Sequence, residues 1–174
     1  MDSLYDLVRC RRSIRHFQER PIEEEKVKRV LTAALMSPAS KRSNGWEFWV
    51  VNDKERLEKL SMCREHGSKL LAKAPLAVVV TMDEEKSDVW VEDGSIAAII
   101  IQLAAEDLGL GSCWVQVHGR KREDGITAEQ YVRKIVGIPD NLRVLNIVAI
   151  GYKDELKEPH REEDISFDKI HWVK

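Results

Sequence analysis

The sequence predicts a sheet covered by helices on both faces, hence one α/β or α+β domain over residues 1–174. Three observations lead there. Short apolar runs of strand length alternate along the chain with longer segments of helical periodicity. Two of those runs, Leu76–Val80 and Val144–Ile150, are apolar almost without interruption, as strands buried on both faces are. The stretch Gly94–Leu108 is apolar nearly all round, which suits a helix inside the molecule.

The 174 residues are 43% hydrophobic and 33% charged, enough to build a real core. The 28 basic and 30 acidic residues leave a net charge of −2, so no overall field draws the chain onto nucleic acid or anionic lipid. Cys10, Cys63 and Cys113 have no CxxC spacing and read as reduced thiols in a cytoplasm. No apolar run reaches the roughly 20 residues that span a bilayer, because Gln102, Glu106 and Asp107 break the longest one. His16, His66, His118, His160 and His171 lack metal-ligand spacing, so no metal is expected.

In chain order, Leu4, Leu7 and Val8 predict a short first helix with Arg9, Arg11 and Arg12 at its end. Glu23, Glu24 and Glu25 open a second, carried by Val27, Val30, Leu31, Ala34 and Leu35 and ended at Ser37-Pro38. Trp46–Val51 reads as a strand covered on both sides, and Asp53 as the cap of a helix bearing Leu57 and Leu60. After Pro75 comes the strand at Leu76–Val80, then the buried helix, which Gly109 terminates. Cys113–Val117 predicts a third strand and His118–Gly125 a surface loop. Thr127 and Gln130 have capping-box spacing for a helix that stops at Gly137. Arg143–Gly151 predicts a fourth strand, and the alternation in Ile165–Val173 one more.

Three polar segments can carry chemistry. Arg11-Arg12-Ser13-Ile14-Arg15 combines guanidinium forks with a hydroxyl, suited to a phosphate and a heterocycle's carbonyl edge, although composition alone favours a solvated helix end. Ser37–Trp46 is a polar loop leading into a strand, where free backbone amides collect. Gly109–Gln116 places small residues before a strand, but a helix precedes it, so it is not a dinucleotide fingerprint.

Together and in order, Arg11–Phe17, Ser37–Phe48 and Gly109–Trp114 resemble the RRSxRxF-like, (S/A)PSxxNxQPWxF-like and GLGxxW elements of the FMN-dependent nitroreductase family. The resemblance covers most of the chain. It implies an α+β, three-layer α/β/α sandwich around a mixed, mainly antiparallel sheet, with the extension 152–174 reaching the partner subunit of a homodimer. It implies FMN at the interface, reduced by NADH or NADPH, then oxidised by a nitroaromatic, quinone or similar small-molecule acceptor in a ping-pong reaction.

By the same resemblance Arg11 and Ser13 contact the phosphate and Arg15 the pyrimidine edge, while Arg12 belongs to the same segment without a defined contact. Pro38, Ala39 and Ser40 come from the partner, with Arg42 beside them. The backbone of Trp114, Val115 and Gln116 faces the ring, and Lys157 or Arg161 completes the phosphate site. No side chain serves as a nucleophile. Gly45 stands where the family has proline and Arg42 where asparagine is frequent, so this loop departs from the pattern. Other flavin reactions on the same frame, such as dehalogenation or ene reduction, and a flavin-binding redox sensor are the alternatives. Arg120, Lys121 and Arg122 read as solvated surface rather than as a site for a 2'-phosphate.

Overall fold

A computed structural model describes residues 3–173. Its helices are α1 (Leu4–Cys10), α2 (Glu24–Leu35), α3 (Lys54–Leu60), α4 (Trp90–Asp107) and α5 (Ala128–Val136). Its strands are β1 (Trp46–Val51), β2 (Leu76–Asp83), β3 (Gly111–Gln116) and β4 (Leu142–Gly151). The four strands form one sheet in the order β1-β2-β4-β3, and all three pairings are antiparallel. A parallel bridge, Ser13 to Ser112, adds to β3 and makes the sheet mixed at that edge.

Side-chain alternation along the central strands sorts the core into two layers. Ala77 and Val79 of β2 join Ile147 and Ala149 of β4 beneath Leu57 and Leu60 of α3 and Val132 of α5. Leu76, Val78 and Val80 join Val148 and Ile150 beneath Val30 and Ala34 of α2 and Ala98, Ile101 and Ala105 of α4. The result is the α/β/α sandwich. Each fully buried Val, Leu or Ile contributes roughly 1.5–3 kcal/mol, so the central strands need no polar alternation to be specified.

The local signals act as expected. Asp53 accepts the Arg56 N–H at 2.9 Å, and Thr127 and Gln130 form a reciprocal capping box. Gly109 ends the α4 segment at φ +74°, a conformation that a side chain would strain. α4 begins at Trp90, four residues ahead of the expected Gly94.

Two expectations need correction. Among the described residues β1 pairs with β2 alone, and with Glu47 exposed on one face and Val50 on the other it is not covered on both sides, because the helix layers centre on β2 and β4. Ile165–Val173 makes no strand: two short 3-10 turns, Glu162–Asp164 and Phe167–Lys169, occupy the tail, and among the described residues no strand edge pairs with it.

A bulge between β2 and β4 bears on the site. Val80 pairs with Asn146 but Thr81 pairs with Val144, so Leu145 has no partner in β2. The Leu145 carbonyl instead accepts the N–H groups of Val117 and His118 at 3.2 and 2.9 Å, tying down the far end of β3.

Candidate functional site

α1 closes with the Arg11 N–H donating to the Leu7 carbonyl at 2.8 Å, after which the chain runs extended along the free edge of β3. Ile14 and Phe17 turn inward and are buried, so Arg11, Arg12, Ser13 and Arg15 remain at or near the surface. The Ile14 N–H donates to the Ser112 carbonyl at 2.9 Å. This close approach depends on Gly111, where a Cβ would lie 2.8 Å from Ile14 Cβ. The first and third of the three motifs, Arg11–Arg15 and Gly109–Trp114, are thereby brought side by side.

The start of the tail fixes this segment from the other side. Glu155 accepts the Arg15 N–H at 2.5 Å and the His16 N–H at 3.1 Å, and it pairs with Lys157 Nζ at 2.9 Å. Burial pushes its carboxyl up, but the Arg15 N–H, Lys157 and the His16 N–H outweigh that and bring it down to about 2. Arg12 donates to the Glu158 carbonyl, which makes it an anchor for the tail. Lys157 thus belongs to the Arg15 group. Arg161 pairs instead with Glu163 and Asp164 and lines a separate cavity of about 670 Å³ with Tyr5 and Arg9.

Along β3, backbone polar groups point to alternate sides. Since the Ser112 carbonyl faces away from β4, the N–H and C=O of Trp114 and Gln116 do too, whereas Val115 directs its own toward Ile147 of β4. The Gln116 carbonyl accepts Arg64 Nη1 at 3.0 Å. Trp114 therefore presents an open backbone segment between the Ile14 backbone and the Arg64 guanidinium. Its indole turns toward the α2 and α4 layer and donates to Gln116 Oε1 at 2.8 Å.

Arg15, Arg11 and the Ser13 hydroxyl all act on the Cys113 thiol. Burial nevertheless pushes that thiol up, so it stays protonated rather than serving as a nucleophile. Among the described residues neither the Arg11 nor the Arg15 guanidinium has a carboxylate partner. Two such cations beside an open strand edge can hold an anionic group and polarise an electron-rich ring edge.

The second motif, the loop Ser37–Phe48, makes its contacts elsewhere. Ser40 and Ser43 bind Asp93 of α4 and Lys41 pairs with Asp88, partners that the Arg11–Arg15 segment does not share. Lys41, Arg42 and Asn44 all have positive φ, at 51°, 56° and 45°, an unusual concentration for residues with side chains. Pro38 and Arg42 are exposed, and Ala39 and Ser40 are half-buried.

The nitroreductase family model matches residues 8–65 and 60–152. The chain belongs to the nitroreductase family. A relative from Archaeoglobus fulgidus, provisionally named NADH dehydrogenase/NAD(P)H nitroreductase, is 36% identical over 98% of both chains. The solved structure of an FMN-dependent nitroreductase from Clostridium difficile R20291 is 45% identical, with a TM-score of 0.96 over 98% of this chain and 99% of that one. A more distant relative, an iodotyrosine deiodinase from Thermotoga neapolitana, is 21% identical over 95% of this chain and 96% of its own. The nitroreductase fold is therefore shared nearly end to end.

Three residues of the candidate site carry no mark in the sequence: Arg64, Asp93 and Glu155. Each acts on backbone groups far away in sequence, so no local pattern marks it. Asp93 stands beside Glu92 at the start of a helix that also carries Glu106 and Asp107, so its charge alone does not single it out. The loop after β3 supplies one further finding. Arg122 is engaged by Asp124, the Met62 carbonyl and the face of Tyr131, leaving Arg120 and Lys121 exposed.

Proposed function

We propose that the chain is the subunit of a homodimeric, FMN-dependent oxidoreductase in which NADH or NADPH and a nitroaromatic, quinone or similar acceptor occupy one pocket in turn. The observation that carries this reading is the open backbone of Trp114 flanked by the carboxylate-free guanidinium groups of Arg11 and Arg15. Its donor set matches the chemistry of FMN, a phosphate dianion joined to a ring whose edge gathers negative charge on reduction. FMN, when bound, supplies two-electron acceptance and donation.

The chain's own residues hold and bias that group. Arg11 and Ser13 bind the phosphate, with Lys157 the tail cation joined to this segment through Glu155, whereas Arg161 stays with Glu163 and Asp164. Arg15 lies at the pyrimidine edge, where its permanent positive charge favours the reduced, anionic state. The N–H of Trp114 donates toward the ring, and Gln116 extends the same edge. Val115 contributes by keeping β3 straight against β4 rather than through its own amide. Arg12 ties the tail to the segment.

Pro38, Ala39, Ser40 and Arg42 complete the pocket of the partner. Two features support this: the loop has no common partners with Arg11–Arg15 in its own chain, and the tail carries Ile165, Phe167, Ile170 and Trp172 exposed. Large apolar side chains left in water along one segment favour a second copy as their cover. One domain per chain and a cytoplasmic location accompany this reading, the latter supported by three free cysteines.

An absorption spectrum tests it. The purified protein loaded with FMN should show a flavin band near about 450 nm that NADH or NADPH bleaches without oxygen and an acceptor restores. Protein that takes up no flavin, or flavin that neither nucleotide bleaches, would overturn the reading.

A further inference from the structure

Asp93 is a buried carboxylate, 3% exposed, in the first turn of α4. Its Oδ1 accepts the backbone N–H of Ser40 at 2.9 Å, and its Oδ2 accepts the Ser87 hydroxyl at 2.7 Å and the Ser43 hydroxyl at 3.3 Å. Three donors from two separate segments thus converge on one side chain.

What Asp93 grips is the strained part of the chain. Lys41, Arg42 and Asn44, all in the left-handed region, lie between or next to its two loop contacts at Ser40 and Ser43. Such a backbone persists only when its surroundings over-determine it. The turn has a second tie, the Asp83 N–H to the Gly45 carbonyl at 2.8 Å. That bond fixes the loop's exit into β1, the Arg42 and Ser43 N–H groups close on the Ala39 and Ser40 carbonyls at 3.2 and 2.9 Å, and Lys41 pairs with Asp88 in the open, so Asp93 is the buried tie of Ser40–Asn44 to the body of the fold. Arg42 is exposed at the crest and has no carboxylate partner among the described residues.

We propose that Asp93 is the positioning residue that holds the Pro38–Asn44 loop in the shape with which it closes the flavin site of the other subunit. The proposal rests on the homodimeric FMN reading and adds a residue to it. Asp93 touches neither cofactor nor substrate. It acts in trans, through the loop.

Heterodimers decide the matter. One chain carries Asp93→Ala, the other Arg11→Ala, and differently tagged copies are co-purified and titrated with FMN by fluorescence quenching. If Asp93 serves the partner's site, one site of the heterodimer carries both defects and the other carries none. The expected result is one FMN bound per heterodimer at wild-type affinity, with each parent homodimer weakened by about tenfold or more. If Asp93 acts on its own subunit's site, or only on overall stability, both sites are impaired and no tight site returns.

Asp93→Asn keeps one acceptor for the Ser40 N–H and should recover most of the homodimer's affinity. Should Asp93→Ala not fold, the Ser43→Ala/Ser87→Ala pair removes two of its three donors and enters the same heterodimer test. Failure of wild-type protein to bind FMN would sink the flavin reading. Wild-type binding without complementation would sink the role of Asp93 alone.

Discussion

Glu155 accepts the backbone N–H of Arg15 at 2.5 Å, a bond between residues 140 apart in the chain. It joins the start of the tail to the segment that carries the paired cations. Its second and third contacts, to His16 and Lys157, make this carboxylate the meeting point of the site's N-terminal and C-terminal parts.

Acid should loosen this junction first. The Glu155 carboxyl is held at about 2, below its ordinary 4.5, so the stability it contributes is fully present above about pH 4.5 and lost as pH falls toward 2. Protection of the Arg15 and His16 amides, their exchange relative to the unfolded-chain rate at each pH, should fall in the wild type as pH drops from about 4.5 to 2, where the carboxyl protonates. Glu155→Gln should already be weakly protected, with little change across that range. A wild-type profile as flat as the variant's would refute the assignment.

Arg11 and Arg15 should separate kinetically. Arg11→Ala should raise the FMN dissociation constant by about tenfold or more, the loss of a charge-assisted phosphate contact. Arg15→Gln should slow anaerobic reduction by NADH more than it weakens FMN, since its charge favours the reduced state. Equal effects of the two substitutions on both quantities would abolish the division.

Gly111→Ala should push the Ile14 segment away from β3. The added Cβ would sit 2.8 Å from Ile14 Cβ, and overpacking of this kind costs about 1–3 kcal/mol, or several degrees in melting temperature for a chain of this size. FMN affinity should fall with it. Combining the change with Ile14→Gly, which removes the facing Cβ, should restore part of the affinity, as titration and thermal melts of the four proteins would show. Additive losses in the double variant would mean that the two residues do not share this contact.

Truncation before Ile165 should yield monomers. It removes the exposed Ile165, Phe167, Ile170 and Trp172, whose burial against a partner is the expected source of association energy. Sedimentation analysis should show the loss of the dimer, with FMN binding lost alongside. A truncated chain that stays dimeric would move the interface elsewhere.

Much of the fold was legible in the amino-acid order because its causes are local. β2 and β4 are apolar runs too continuous for any environment but a sheet interior, α4 is apolar all round, and Asp53, Thr127 with Gln130, and Gly137 cap helices through bonds to neighbours three or four residues away. The three motifs were visible because each is a short local run, and it is their order along the chain, not any one of them, that carries the resemblance.

Other features depend on which segments meet. Trp46–Val51 has the composition of a covered strand but leaves Glu47 and Val50 exposed, because the helix layers centre on β2 and β4. The alternation in Ile165–Val173 promised a strand, yet an alternating segment becomes one only beside a partner, and among the described residues its own chain offers none. The bulge at Leu145 also left no mark, since it arises from the register of two strands against a third. So the sequence by itself determined the elements, their caps and the family's motifs. Only the tertiary structure decided that Glu155 and Arg12 lock the tail to the cation pair, that Arg64 caps the open edge of β3 and that Asp93 holds the loop. Each of these is a single long-range contact, and hydrogen-bond partners brought together by folding leave no periodicity to read.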